Sequence, residues 1–168
     1  MWEKILVPLD FSPCAERAVL VAGELARAHG ATLLFLHVFD VPPNMPPEAL
    51  VTPPGVELAV RADDYAALGA EHRLEEFAAP LRLEGISVRT AARAGDVVGE
   101  ILAAAQAFGA QAMVVGTHGR SGLSHLLLGS VAEKLVRLAT VPVVTVRSIA
   151  PDAEPTREES FVEDELAG

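Results

Sequence analysis

The chain has 168 residues, 51% of them hydrophobic, and its 23 acidic and 13 basic side chains give a formal charge of −10. That length suits one domain with a sizeable core. An acidic chain without a lysine or arginine run lacks the charge that drives binding to a nucleic-acid backbone or to an anionic membrane surface.

The acidity is concentrated at one end. Residues 151–168 carry Asp152, Glu154, Glu158, Glu159, Glu163, Asp164 and Glu165 against Arg157 alone, a net of −6, which leaves −4 for the first 150 residues. The expectation is a nearly balanced domain over 1–148 followed by an acidic tail, 149–168, with the composition of a solvated appendage. The single cysteine, Cys14, permits no internal disulfide and no cysteine-rich zinc cluster. No apolar run approaches the roughly 20 residues of a spanning helix. The opening stretch Met1 to Leu9 is broken by Glu3, Lys4 and Pro8, unlike a signal peptide. A cytoplasmic protein is expected.

In chain order, Ile5-Leu6-Val7-Pro8-Leu9 reads as a buried strand. Ser12-Pro13 starts a helix, with Ser12 as cap and proline at the first helical position. Ala18, Ala22, Leu25, Ala26 and His29 keep helical spacing, and Gly30 ends the helix. Thr32 to Phe39 is a second strand. Six prolines within 41–55 mark a loop, and a helix is expected over about 57–84, closed by Gly85. Ile86 to Ala92 reads as a third strand. Asp96 caps a helix whose apolar face is Val97, Ile101, Ala104, Ala105 and Phe108, and Gly109 ends it. Ala112 to Val115 is a fourth strand running into Gly116, Ser130 to Ala139 a helix, and Pro142 to Val146 a fifth strand.

This alternation predicts an α/β fold: a doubly wound, five-stranded parallel sheet of order 3-2-1-4-5 with helices on both faces. Ligands in such sheets bind beyond the carboxyl ends of the strands, where the winding reverses. Here that crevice lies between strands one and four, so Leu9-Asp10 and the loop after Gly116 should face each other.

That loop holds Gly116, Gly119 and Gly129-Ser130. Gly116 and Gly119 let backbone approach a ligand and can take positive φ. The helix opening at Gly129-Ser130 offers unpaired N–H groups and a positive dipole end to a phosphate. Ser130-x-x-Glu133 also reads as a capping box, which a helix needs with or without a ligand. Neither the Gly-Lys-Ser/Thr ending of a Walker loop nor the Gly-x-Gly-x-x-Gly dinucleotide turn is present.

Three stretches together resemble the universal stress protein family. They are Ile5-Leu6-Val7-Pro8-Leu9-Asp10 with Ser12, the strand end Leu36-His37-Val38, and Gly116-x2-Gly119-x9-Gly129-Ser130. The last is similar to the full motif of the family's ATP-binding branch. The resemblance implies an ATP-binding stress-response or signalling protein that senses or responds to nucleotide. Pro8, Asp10 and the Val38 backbone would border the adenosine, with Asp10 near the ribose. Gly116, His118 and Gly119 would line the nucleotide, and Gly129, Ser130, Val131 and Ala132 would hold the phosphates. The family often has a hydroxyl residue at Ala132, so only backbone contact is expected there. ATP adds about four negative charges to a body at −4, so Mg²⁺ or Mn²⁺ is expected with it.

Other candidates read as structural. His37 lies in an apolar strand and is expected to be a hydrogen-bonded core histidine and not a ligand or base. His118 could donate to phosphate, whereas His125 and Arg120 read as solvated loop residues. Cys14 reads as a buried small residue, and Asp10 has an alternative role as an exposed loop carboxylate capping the helix beside Ser12. No catalytic triad, nucleophile elbow or metal-binding helix motif appears, so any ATP hydrolysis is expected to be slow. The third strand's end, Ala91-Ala92-Arg93, lacks the aspartate of a phospho-acceptor domain. Two function classes remain: a nucleotide-responsive binding protein, or a nucleotide-independent dimeric interaction module. The Val-rich fifth strand at a sheet edge invites pairing, and the resemblance likewise implies a homodimer through it.

Overall fold

Buried apolar runs pair edge to edge to form the centre of the molecule. The computed structural model describes residues 2–39, 49–52, 58–117 and 128–147. Its elements are β1 (Lys4–Pro8), α1 (Pro13–His29), β2 (Thr32–Phe39), β3 (Leu50–Val51), β4 (Val60–Arg61), α2 (Ala62–Leu83), β5 (Val88–Ala94), α3 (Val97–Phe108), β6 (Ala112–Gly116), α4 (Ser130–Leu138) and β7 (Val143–Val146). The main sheet runs β5-β2-β1-β6-β7 with every pairing parallel, as the alternation predicts.

Successive side chains of each strand feed two cores. Ile5, Val7, Leu33 and Phe35 pack with Ala18 and Ala22 of α1 and Leu74 and Ala78 of α2. Leu6, Leu36, Met113 and Val115 pack with Ile101 and Ala104 of α3 and Ala132 and Leu135 of α4. Helices α1 and α2 thus cover one face and α3 and α4 the other. The winding reverses between β1 and β6.

The helix ends follow their capping chemistry. Ser12 accepts the Ala15 N–H at 3.3 Å and Pro13 opens α1, while Asp96 accepts the Gly99 N–H at 2.7 Å. Gly30 and Gly109 close α1 and α3 in the left-handed region, which glycine enters without a Cβ penalty.

Four local expectations need correction. Residues Leu50–Val51, read as loop, pair antiparallel with Val60–Arg61, which had been read as helix; this hairpin delays α2 to Ala62. Strand β5 begins at Val88, two residues later than expected, because the Gly85 and Ile86 N–H groups fold back onto the Arg82 and Leu81 carbonyls of α2. The capping box at Ser130 does not form. Gly129 is the N-cap of α4, Ser130 is already helical, and among the described residues no side chain caps that end. Strand β1 spans Lys4–Pro8, one residue earlier than read. Among the described residues, no helix is long and apolar enough to cross a membrane.

Candidate functional site

The reversal of winding leaves a cleft of about 200 Å³ at the carboxyl ends of β1 and β6. Eight sequence-predicted residues line it: Pro8, Asp10, Val38, Gly116, Gly129, Ser130, Val131 and Ala132. His118 and Gly119 lie outside the described residues, as do Arg120 and His125. Two larger grooves, of about 440 and 660 Å³, lie elsewhere, but neither reaches the carboxyl end of a sheet strand.

The β1–α1 connection is tied down atom by atom. The Leu9 N–H donates to the Leu36 carbonyl at 2.8 Å, and the Leu9 carbonyl lies 2.6 Å from His37 Nδ1. A carbonyl only accepts, so His37 Nδ1 carries the hydrogen. His37 does not line the cleft and is hydrogen-bonded as expected, but it is half-buried and not a core residue. Asp10 is half-buried and its Oδ1 accepts the Ser12 N–H at 3.1 Å. Ser12, not Asp10, caps the helix.

Gly116 is explained by packing. Its φ is not positive, and a Cβ there would lie 3.0 Å from Cys14 Cβ and 3.1 Å from the Cys14 carbonyl carbon. The close approach that glycine permits is therefore to the first turn of α1. Cys14 is buried, as expected. On the far side, the Thr117 N–H donates to the Val146 carbonyl, and the Gly129 N–H donates to the Thr117 carbonyl at 2.6 Å. These bonds hold the start of α4 against the end of β6.

Sequence reasoning missed the cleft's apolar wall. Leu36, Val97, Ile101 and Val115 line it beside Val38. Val97 and Ile101 carry a signal in hindsight: they head α3 where it leaves β5, at the carboxyl end of the sheet. Asp10 is the one charged side chain among the described lining residues, with Thr117 and Ser130 as the hydroxyls. Among the described residues, no cluster of three or more His, Cys, Asp or Glu could hold a metal ion.

A family model described as "Universal stress protein family" matches residues 1–147. The chain belongs to the universal stress protein family. The Bacillus subtilis universal stress protein YxiE is 31% identical over 162 residues, covering 88% of this chain and all of that one. Among solved structures, hypothetical protein MJ0577 of Methanocaldococcus jannaschii superposes with a TM-score of 0.72 at 23% identity, covering 89% of this chain and 99% of that one. The universal stress protein of Archaeoglobus fulgidus, solved in complex with dAMP, gives 0.60 at 23% identity over 86% of this chain and 97% of its own. At these identities the superpositions establish a shared universal stress protein fold.

Proposed function

We propose that this universal stress protein binds ATP, or a closely related adenine nucleotide, in the cleft between β1 and β6 and responds to it as a homodimer. One observation carries the reading: a single cleft joins an apolar wall, one described carboxylate and a helix N-terminus that no described side chain caps. These three chemistries suit a base, a ribose and a phosphate chain in turn. Leu36, Val38, Val97 and Ile101 offer the base an apolar surface. The Asp10 carboxylate accepts from ribose hydroxyls. The first turn of α4, at Ser130, Val131 and Ala132, presents N–H groups and a positive dipole end to phosphate. The dAMP complex of the Archaeoglobus relative is consistent with this use of the fold.

The described lining has no cation to offset the phosphates. A Mg²⁺ or Mn²⁺ ion entering with the nucleotide supplies that charge through the phosphate oxygens. Asp10 is the one described carboxylate in the cleft, and no described cation accompanies it, so hydrolysis is slow at most. The outer edge of β7, last in the described sheet, serves for dimerisation.

A second reading, a dimeric interaction module without nucleotide, draws on Gly116, whose identity packing alone explains. Thermal denaturation separates the two. Mg-ATP at 100 times its Kd adds about 2.7 kcal/mol to stability, so a Tm that does not move at millimolar Mg-ATP leaves the module reading. Mass spectrometry of small molecules released from freshly purified protein then identifies the nucleotide.

A further inference from the structure

We infer that Phe11 is a positioning residue for the cleft: its left-handed backbone and its ring contacts with α2 and His37 set the Asp10 carboxylate for the nucleotide. The inference rests on the nucleotide reading above and adds a residue that does not itself line the cleft.

Phe11 has φ 61°, and among the described residues it is the one non-glycine with positive φ. A bulky side chain in that region persists only where its surroundings over-determine it. Those surroundings are specific. The Phe11 ring lies 4.4 Å from the His37 ring and 5.9 Å from that of Phe77 in α2, and the Arg73 guanidinium sits 4.0 Å above it. Cation and aromatic attract in this arrangement.

His37 meets the connection on both sides of Asp10. Its Nδ1 hydrogen is held by the Leu9 carbonyl, and its ring faces Phe11. Asp10 is thereby bracketed by neighbours fastened to the same imidazole, while its Oδ1 takes the Ser12 N–H. Phe11 packs against the core beneath α1 and α2, whereas Asp10 lines the cleft. Glycine would make the same turn without strain. A phenylalanine at this position is explained by what its ring holds in place.

The test is a double-mutant cycle on the full chain, read by calorimetric titration with Mg-ATP. Phe11→Gly keeps the backbone conformation and removes the ring. It weakens binding about tenfold in the wild-type background, and by less than about twofold once Asp10→Ala has removed the group it positions. Phe11→Tyr, which retains the ring, restores wild-type affinity. Arg73→Leu changes an exposed residue of α2, and weakens binding several-fold with the same dependence on Asp10. Equal losses in both backgrounds, or none in either, would overturn the inference while leaving nucleotide binding standing. A wild-type chain that does not bind Mg-ATP overturns the nucleotide reading and this inference with it.

Discussion

A Cβ placed on Gly116 would sit 3.0 Å from the Cβ of Cys14, and 3.2 Å from the Cys14 carbonyl oxygen. The carboxyl end of β6 is thus pressed against the backbone of the first turn of α1, and both elements border the cleft. Gly116→Ala is expected to destabilise the fold by about 1–3 kcal/mol, the usual range for overpacking. Cys14→Ala should not rescue it, because the opposing atoms are Cβ and main chain, which alanine retains. Urea midpoints of the two single variants and the double variant check this. A double variant with the wild-type midpoint would show that the sulfur, and not the backbone, sets the contact.

Asp10→Asn separates the local turn from ligand recognition. The amide oxygen can still accept the Ser12 N–H now bound at 3.1 Å, so stability without ligand should change by less than about 0.5 kcal/mol. Hydrogen bonds to a charged acceptor exceed those to a neutral one by about 1 kcal/mol. Affinity for Mg-ATP should therefore fall about fivefold. Ligand-free melting and calorimetric titration on the same preparation read both quantities. Unchanged affinity would remove Asp10 from the ribose site.

The outer edge of β7, last in the described sheet, makes a prediction about assembly. The carbonyls of Pro142 and Val146 accept from Met113 and Thr117 on the β6 side. By the alternation of a parallel strand, Val143 and Thr145 direct their backbone groups outward. Thr145→Pro removes an outward donor and leaves the pairing with β6 in place. The wild-type chain should sediment as a dimer at micromolar concentration and the variant as a monomer with unchanged far-ultraviolet circular dichroism. A wild-type monomer, or a dimeric variant, would direct attention to another surface.

Much of this architecture was legible because local chemistry and tertiary packing agree. The runs at β1, β2 and β6 are apolar on both faces, and Ser12, Gly30, Asp96 and Gly109 mark helix ends by side-chain or backbone preference. The β3–β4 hairpin was not legible. Two-residue strands show no periodicity, and Val60–Arg61 continue directly into the helical spacing of α2. The start of α4 at Ser130 was legible, but its cap was not, for a different reason. Ser130 and Glu133 have the spacing of a capping box, but the Gly129 N–H is engaged by Thr117, so the chain turns one residue earlier. In the cleft, the motif residues were visible as motif. Val97 and Ile101 were not, since an apolar helix face reads the same whether it meets a core or a ligand.

The link between α2 and β5 predicts a pH dependence. Glu75 accepts from Arg82 and from the Thr90 hydroxyl, the latter at 2.7 Å. The Arg82 hydrogen bond first, and then that of Thr90, hold its carboxyl below the ordinary value of 4.5. A folded-state value below the unfolded one stabilises the native chain above pH 4.5, and that contribution is lost as pH falls through the folded value. Both side chains are substantially exposed, so solvent screening limits the contribution to at most about 1 kcal/mol. Wild type should therefore exceed Glu75→Gln in unfolding free energy by a near-constant margin from neutral pH down to mildly acidic pH. Below pH 4.5 the margin should shrink, and added salt should reduce it at neutral pH. Urea titrations of both proteins across this range measure it directly. A margin that widens on acidification would mean that Glu75 is stabilised by its protonated form, contrary to its donors.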